Sequence, residues 1–214
     1  MSDTVFALSS GAPPAGIAVI RLSGPASADV LRALAGRLPE PRRAALVRLR
    51  DRAGDTLDHA LALWLPGPGT VTGEDMAELH CHGGRAVIAA VEAALAALPG
   101  MRQAEPGEFT RRAFLNGRVD LAEAEGLADL LSAETELQRQ SALAMAEGAF
   151  SAQVEGWRVA LLQASAAVEA VLDFADEDDV VVLPADFAER LAAIRRSIEI
   201  WLARPRAELL REGF

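Results

Sequence analysis

Apolar positions change rhythm partway along the chain. In the first part they form short runs, alternating or β-branched, set between glycines and prolines. Residues 4–8 and 17–22 read as strands on either side of the turn Ser9-Ser10-Gly11-Ala12-Pro13-Pro14. Residues 27–35 have helical spacing with Gly36 as a stop. Residues 43–50 set Ala45, Val47 and Leu49 against Arg48 and Arg50, a strand with one wet face, and 57–65 forms a second candidate. Residues 76–82 alternate again before Gly83-Gly84, which opens an alanine-rich helix ending at Pro99-Gly100. From there the period lengthens. Residues 121–133 predict a short helix. Leu143, Phe150, Val154, Trp157, Leu161, Val168 and Leu172 then predict one long helix with a heptad-like stripe. Phe187, Leu191, Ile194, Ile198 and Trp201 make a second stripe, and the acidic residues 173–179 between them predict a turn. Stripes this apolar suit a three-helix arrangement or a larger bundle.

Composition sharpens that division. Residues 1–118 hold 12 acids and 13 arginines, whereas residues 119–214 hold 19 acids and 8 arginines. The first stretch also carries 13 of the 17 glycines and 9 of the 11 prolines, so it turns often and the second rarely. The fold class expected is α+β: a mixed α/β domain over 1–118, then an all-α domain over 119–214. The last residues, 208–214, read either as a frayed helix end or as a point where more chain, or another subunit, follows.

All 21 basic residues are arginine. A phosphate loop of the G-x-x-x-x-G-K-[ST] type needs its lysine, so these residues contain no such nucleotide site, and Schiff-base chemistry is excluded too. The net charge of −10 disfavours indiscriminate nucleic-acid binding but leaves room for a local basic site. Cys81 is the single cysteine, which gives no support for an oxidising compartment. The N-terminal residues lack a basic signal-peptide region, and the apolar runs are too short to span a bilayer. A cytoplasmic protein without membrane contact is expected.

His80-Cys81-His82 resembles a metal motif, but on a strand the histidines face one side and the cysteine the other, so no metal site is expected. Residues 173–179 lack the glycine and glutamate spacing of an EF-hand loop. No G-x-S-x-G elbow supports a serine nucleophile. Two stretches concentrate residues that are costly unless used. In Thr72 to Gly84, alternation places Glu74, Met76 and Glu78 on the face of His80 and His82, beside a glycine turn. In Glu105 to Leu121, an arginine-and-aromatic helix ends at Asn116-Gly117 where the chain changes character, a position that favours a pocket. The alternative is an ordinary helix with a solvated arginine face.

These two stretches, TGEDMAELHCHGG and AEPGEFTRRAFLNGRVDLAEAEGLADLLSA, together with DTVFALSSGAPPAGIAVIRLSGP, resemble the MnmE (TrmE) family of tRNA-modifying GTPases. EGAFSAQVEGWR, VEAVLDFADED and the final LLREGF extend the resemblance along the whole chain. It implies an N-terminal domain similar to the folate-binding part of the glycine-cleavage T-protein, followed by the first, incomplete part of a helical domain. It further implies a homodimer binding 5-formyltetrahydrofolate or a related tetrahydrofolate as one-carbon donor. The whole protein would modify C5 of the wobble uridine (U34) of tRNA with an FAD-dependent partner of the MnmG/GidA family.

GTP, Mg²⁺ and K⁺ belong to the family's GTPase module, expected where these residues stop, so no GTPase activity is expected of this chain alone. The family's folate contacts fall on Arg21, Glu78 and Arg118. Glu78 would accept the adjacent donors of the pterin, and an arginine would bind the anionic glutamate tail. The family usually has lysine where Arg118 stands and an aromatic where Val71 stands. No residue is assigned a catalytic role. A ligand-free dimerisation module and a stand-alone T-protein-like enzyme are the alternatives.

Overall fold

The computed structural model describes residues 3–173 and 182–203. Two compact units divide it, Met1–Val119 and Asp120–Phe214. Six strands form the first: β1 (Thr4–Leu8), β2 (Ala15–Ser23), β3 (Ala45–Arg50), β4 (Thr56–Leu65), β5 (Met76–Gly83) and β6 (Met101–Gln103). Helices α1 (Ser27–Ala35), α2 (Arg85–Ala96) and α3 (Glu108–Leu115) complete it. The strand order is β3-β4-β5-β2-β1-β6, antiparallel except for the parallel pairing of β1 with β6. The α+β class read from the sequence is the observed one. Strand β6 escaped sequence reading because three residues carry no measurable period.

Registers give the sheet two unlike faces. Phe6, Leu22, Ala77 and Trp64 line up across four strands, as do Leu8, Ile20, Leu79 and Ala62. These residues make the core with Val30, Leu31 and Leu34 of α1 and Val91 and Leu95 of α2. The opposite face carries the rows Ala7, Arg21, Glu78, Leu63 and Val19, His80, Leu61, Leu46. Its row at Val5, Ser23 and Met76 is fully buried, and there Arg112 of α3 donates to the carbonyl of Asp3 at 2.9 Å. Farther along, Ile17, Leu61 and Leu46 are exposed.

The second unit contains α4 (Leu121–Ser132), α5 (Glu136–Ala146), α6 (Ala149–Asp173) and α7 (Phe187–Leu202). Capping boxes start α4 and α5, pairing Asp120 with Glu123 and Thr135 with Gln138. The single long helix expected from Leu143 onward is in fact two. Gly148 adopts φ 83°, and the Glu147 and Gly148 amides close the end of α5 on the carbonyls of Leu143 and Met145. The heptad-like stripe runs through this break unchanged, which is why spacing alone missed it. Trp157 donates to Ser197 at 2.9 Å, and Trp201 packs tilted against Phe150 and edge-to-face against Trp157 with ring centroids 5.6 and 6.3 Å away.

Neither α6 nor α7 contains a fully buried residue. The turn expected near 173–179 and the segment 208–214 fall outside the described residues, apart from Asp173. Among the described residues no helix is long and apolar enough to cross a membrane.

Helices α4 and α5 meet at Gly126, where a Cβ would lie 2.5 Å from the amide nitrogen of Ala146. The obstacle is backbone, so the helices must separate to admit it. Gly126→Ala is expected to destabilise the helical unit by about 2 kcal/mol, despite alanine's better helix propensity. Chemical denaturation followed by helical circular dichroism checks this; an unchanged or raised midpoint contradicts it.

Candidate functional site

Antiparallel pairing places Arg21 of β2 directly opposite Glu78 of β5 on the open face of the sheet. Arg21 donates from Nε at 3.1 Å to Oε1 of Glu78, and its Nη2 lies 3.0 Å from the same oxygen. His80, two residues along β5, brings Nε2 to 3.1 Å from Oε2. A carboxylate only accepts, so this contact requires the proton on Nε2. Burial pushes the Glu78 carboxyl up, but the His80 hydrogen bond and the Arg21 charge outweigh it and hold the group below its ordinary value. The result is a fixed anion on a sheet face, with side-chain exposures of 17% for Glu78 and 32% for Arg21.

The alternation of β5 is as expected for Glu78, His80 and His82. Cys81 points into the core, and burial pushes its thiol up to about 12, so it is an inert packing residue. His82 has a partner the sequence did not indicate. Asp58 of β4 accepts from its backbone N–H and sits against Nδ1, both at 2.7 Å. Burial pushes the Asp58 carboxyl up, but the donors from His82 and the His59 amide leave it below its ordinary value.

Glu74 departs from expectation. It precedes β5 and does not join the Glu78 face. Instead its Oε2 accepts from the Ser23 hydroxyl at 2.7 Å and from Arg112 at 2.9 Å. Arg112 also binds Glu108, one helical turn away, and Asp3, while Arg102 reaches Glu108 from β6. This ionic cluster fixes α3 against the sheet. Glu108 is 1% exposed by side chain, and hydrogen bonds led by that from Arg102 lower its carboxyl to about 2, against an ordinary 4.5.

A depressed carboxyl contributes stability that is complete above its unfolded value and is lost as pH falls through the folded one. The thermal midpoint of the chain is therefore expected to fall progressively as pH drops from about 4.5 towards 2. Glu108→Gln should flatten that slope; an identical slope in the variant contradicts the assignment.

The end of α3 is stapled to the loop before β5. Asn116 donates from Nδ2 to the carbonyl of Thr72 at 2.7 Å. Gly73 has φ 77°, and a Cβ there would meet Asn116 Cβ at 3.1 Å and Arg118 Cγ at 3.3 Å. The stem of Arg118 therefore lies over Gly73, two residues from where the β5 lead-in begins at Asp75. Among the described residues no hydrogen bond or ion pair joins the Arg118 guanidinium to Arg21, to Glu78 or to any other group. Thus the structure brings Arg21 and Glu78 together, adds His80, and leaves Arg118 separate. Among the described residues no group of three histidine, cysteine or carboxylate side chains could hold a metal.

Comparison with known proteins adds a second line. The family described as "GTP-binding protein TrmE N-terminus" matches residues 4–118, and that described as "MnmE helical domain" matches residues 121–214. A protein of Novosphingobium aromaticivorans named tRNA modification GTPase MnmE is 66% identical over 224 aligned positions, covering 100% of this chain and 51% of that protein. Proteins of the same name from Erythrobacter litoralis and Paramagnetospirillum magneticum are 62% and 55% identical. Those matches cover 99% and 100% of this chain and 50% and 48% of the relatives. The chain spans about half the length of the curated relatives it matches.

Proposed function

The chain belongs to the MnmE (TrmE) family of tRNA modification GTPases, and from that premise we propose that it supplies the tetrahydrofolate-binding and dimerisation parts of a wobble-uridine modification system. Its activity would be expressed with a GTPase module, which these 214 residues do not contain, and with an FAD-dependent partner of the MnmG/GidA family. GTP, Mg²⁺ and K⁺ are assigned to that module. The modification is carboxymethylaminomethylation at C5 of U34, with tRNA engaged by the full complex in the cytoplasm.

The observation that carries the folate reading is the Arg21–Glu78 pair on the open sheet face. The residues suit a folate in charge. Glu78 is an anion able to accept from a pterin's adjacent donors, and Arg118, apart from that pair, is a cation able to hold a glutamate tail. In geometry Arg21 already occupies part of the carboxylate. Of its roughly four acceptor sites, Arg21 Nε takes one on Oε1 while Nη2 crowds the same oxygen at 3.0 Å, and His80 takes one on Oε2. A ligand donating to both oxygens therefore competes with Nη2 of Arg21 at Oε1, and an Arg21 turned from Glu78 is placed to donate to acceptors at the ring end of the ligand. Bound 5-formyltetrahydrofolate would supply the one-carbon unit; the chain's residues bind and orient it.

Dimerisation is supported by the exposed apolar side chains on the same face, with Ile17 63%, Leu46 68% and Leu61 43% exposed. A second copy covering them would bury the margin of the Arg21–Glu78 site.

A second reading draws on the same pair. If Arg21 and Glu78 serve only to satisfy each other, the unit is a ligand-free dimerisation module. Calorimetric titration of the chain with 5-formyltetrahydrofolate separates the two. Saturable heat supports the folate reading, and its absence at high concentration supports the module. A monomer at high concentration would remove the dimer from both.

A further inference from the structure

We propose that the arginine-lined groove at the β3 edge of the sheet binds the phosphate backbone of RNA. Strand β3 is the outermost strand, and beside it an open groove of about 610 Å³ runs between the end of α1, β3 and the turn into β4. Residues 33–54 hold six arginines and two acids in a chain of net charge −10. Both acids are occupied. Glu40 pairs with Arg43 at 2.7 Å, and Asp51 accepts from the amides of Ala53 and Asp55 at 2.9 Å. Arg42 is drawn off to the carbonyl of Gly69.

Four exposed arginines remain to line the groove: Arg37, Arg48, Arg50 and Arg52. None forms an ion pair among the described residues. Arg37 donates to the carbonyl of Leu46 at 3.2 Å and Arg50 to that of Gly54 at 2.7 Å. These bonds hold the guanidinium groups in place without neutralising them. Of the other carboxylates nearby, Asp55 is exposed at the far end of the turn, and Asp58 is engaged by His82.

Charged residues on an edge strand also deter pairing with another sheet, but that purpose requires no excess of one sign. Here the excess is one-sided and unpaired. Arg48 and Arg50 point to the same side of β3, roughly 6.8 Å apart, close to the spacing of successive phosphates along one strand. Guanidinium groups recognise phosphate through paired hydrogen bonds, and with no lysine in the chain arginine must carry any such contact. RNA is preferred over an acidic polypeptide because the Arg48–Arg50 spacing suits successive backbone phosphates and because the relatives are named for tRNA modification. This surface lies on β3 and does not include Arg21 or Glu78, so its failure is distinguishable from that of the folate reading, although it shares Leu46 with the apolar face offered to a second copy.

The test is fluorescence anisotropy of a labelled, unmodified tRNA transcript with the 214-residue chain, between about 50 and 200 mM salt. The triple variant R48Q/R50Q/R52Q is compared with the parent and with R139Q/R158Q, whose arginines are ion-paired on the helical unit. All three substitutions are at exposed positions, and an unchanged thermal midpoint verifies folding. The expected result is at least tenfold weaker binding in the triple variant, with its log–log salt slope reduced by about 2 and the control unchanged. Equal affinity and slope in parent and triple variant overturns the proposal, as does absence of saturable binding at the lowest salt. Displacement of tRNA by poly-glutamate at equal charge concentration assigns the groove to an acidic polypeptide instead.

Discussion

Replacing Arg112 with methionine is expected to destabilise the first unit by about 3 kcal/mol and to lower its thermal midpoint by roughly 10 °C. The side chain is 10% exposed and satisfies groups from three parts of the chain. It donates to Glu108 on its own helix, to Glu74 before β5, and to both the side chain and the carbonyl of Asp3 ahead of β1. Methionine fills much of the volume but donates nothing. Glu74, 18% exposed, would keep only the Ser23 hydroxyl at that oxygen, and the carbonyl of Asp3 would lose a donor. Breaking a buried ion pair by removing one partner costs more than the pair is worth, because the remaining charge stays desolvated.

Arg102 still neutralises Glu108, which keeps the figure at the lower end of the range. Arg112→Lys should fall between the two, since it restores the charge without the forked donors. Arg32→Met, which removes an exposed pair with Asp29, should change little. A loss below about 1 kcal/mol for Arg112→Met would show that the cluster does not hold α3 to the sheet.

Glu78→Ala is the variant with the largest expected effect on ligand affinity. A hydrogen bond to a charged group contributes about 1.5–3 kcal/mol, so removing the carboxylate should weaken 5-formyltetrahydrofolate binding by roughly ten- to a hundred-fold. The effect on stability should be small, because the released Arg21 is a third exposed and can turn to water. Glu78→Gln separates charge from shape. It keeps one acceptor but brings its own donors towards a pterin edge that also donates, so it should bind scarcely better than alanine. Calorimetry on folded samples of matched oligomeric state checks both variants. Full affinity in Glu78→Ala would remove Glu78 from the site.

Much of this architecture was legible in the sequence because it rests on period. The alternation of β5 put Glu78, His80 and His82 on one face and Cys81 on the other, and that is the observed arrangement. What period does not encode is pairing between distant segments. Arg21 and Glu78 are 57 residues apart, and only the β2–β5 register makes them neighbours. The same holds for Asp58 and His82, and for Glu74 and Arg112. Glu74 was misplaced because alternation was extended beyond the first residue of the strand. Glu108 and Arg112 carried a readable signal, a glutamate and an arginine four apart on one helix. The break at Gly148 was missed because the apolar stripe continues across it, although a glycine after Glu147 is a helix-stop signal.

The resemblance supplied what physics of the single chain could not, a reason to join Arg118 to the Arg21–Glu78 pair. In the structure Arg118 lies over Gly73 without contacting either. On the proposed folate reading, the ligand's anionic tail is what would reach from the pair to that arginine.

The most direct measurement is a crystal structure of the chain grown with 5-formyltetrahydrofolate. Ring density is expected against Glu78, with Nη2 of Arg21 drawn away from Oε1 and the glutamate tail in reach of Arg118. Ligand bound elsewhere, with the Arg21–Glu78 pair intact and Arg118 untouched, would contradict that expectation.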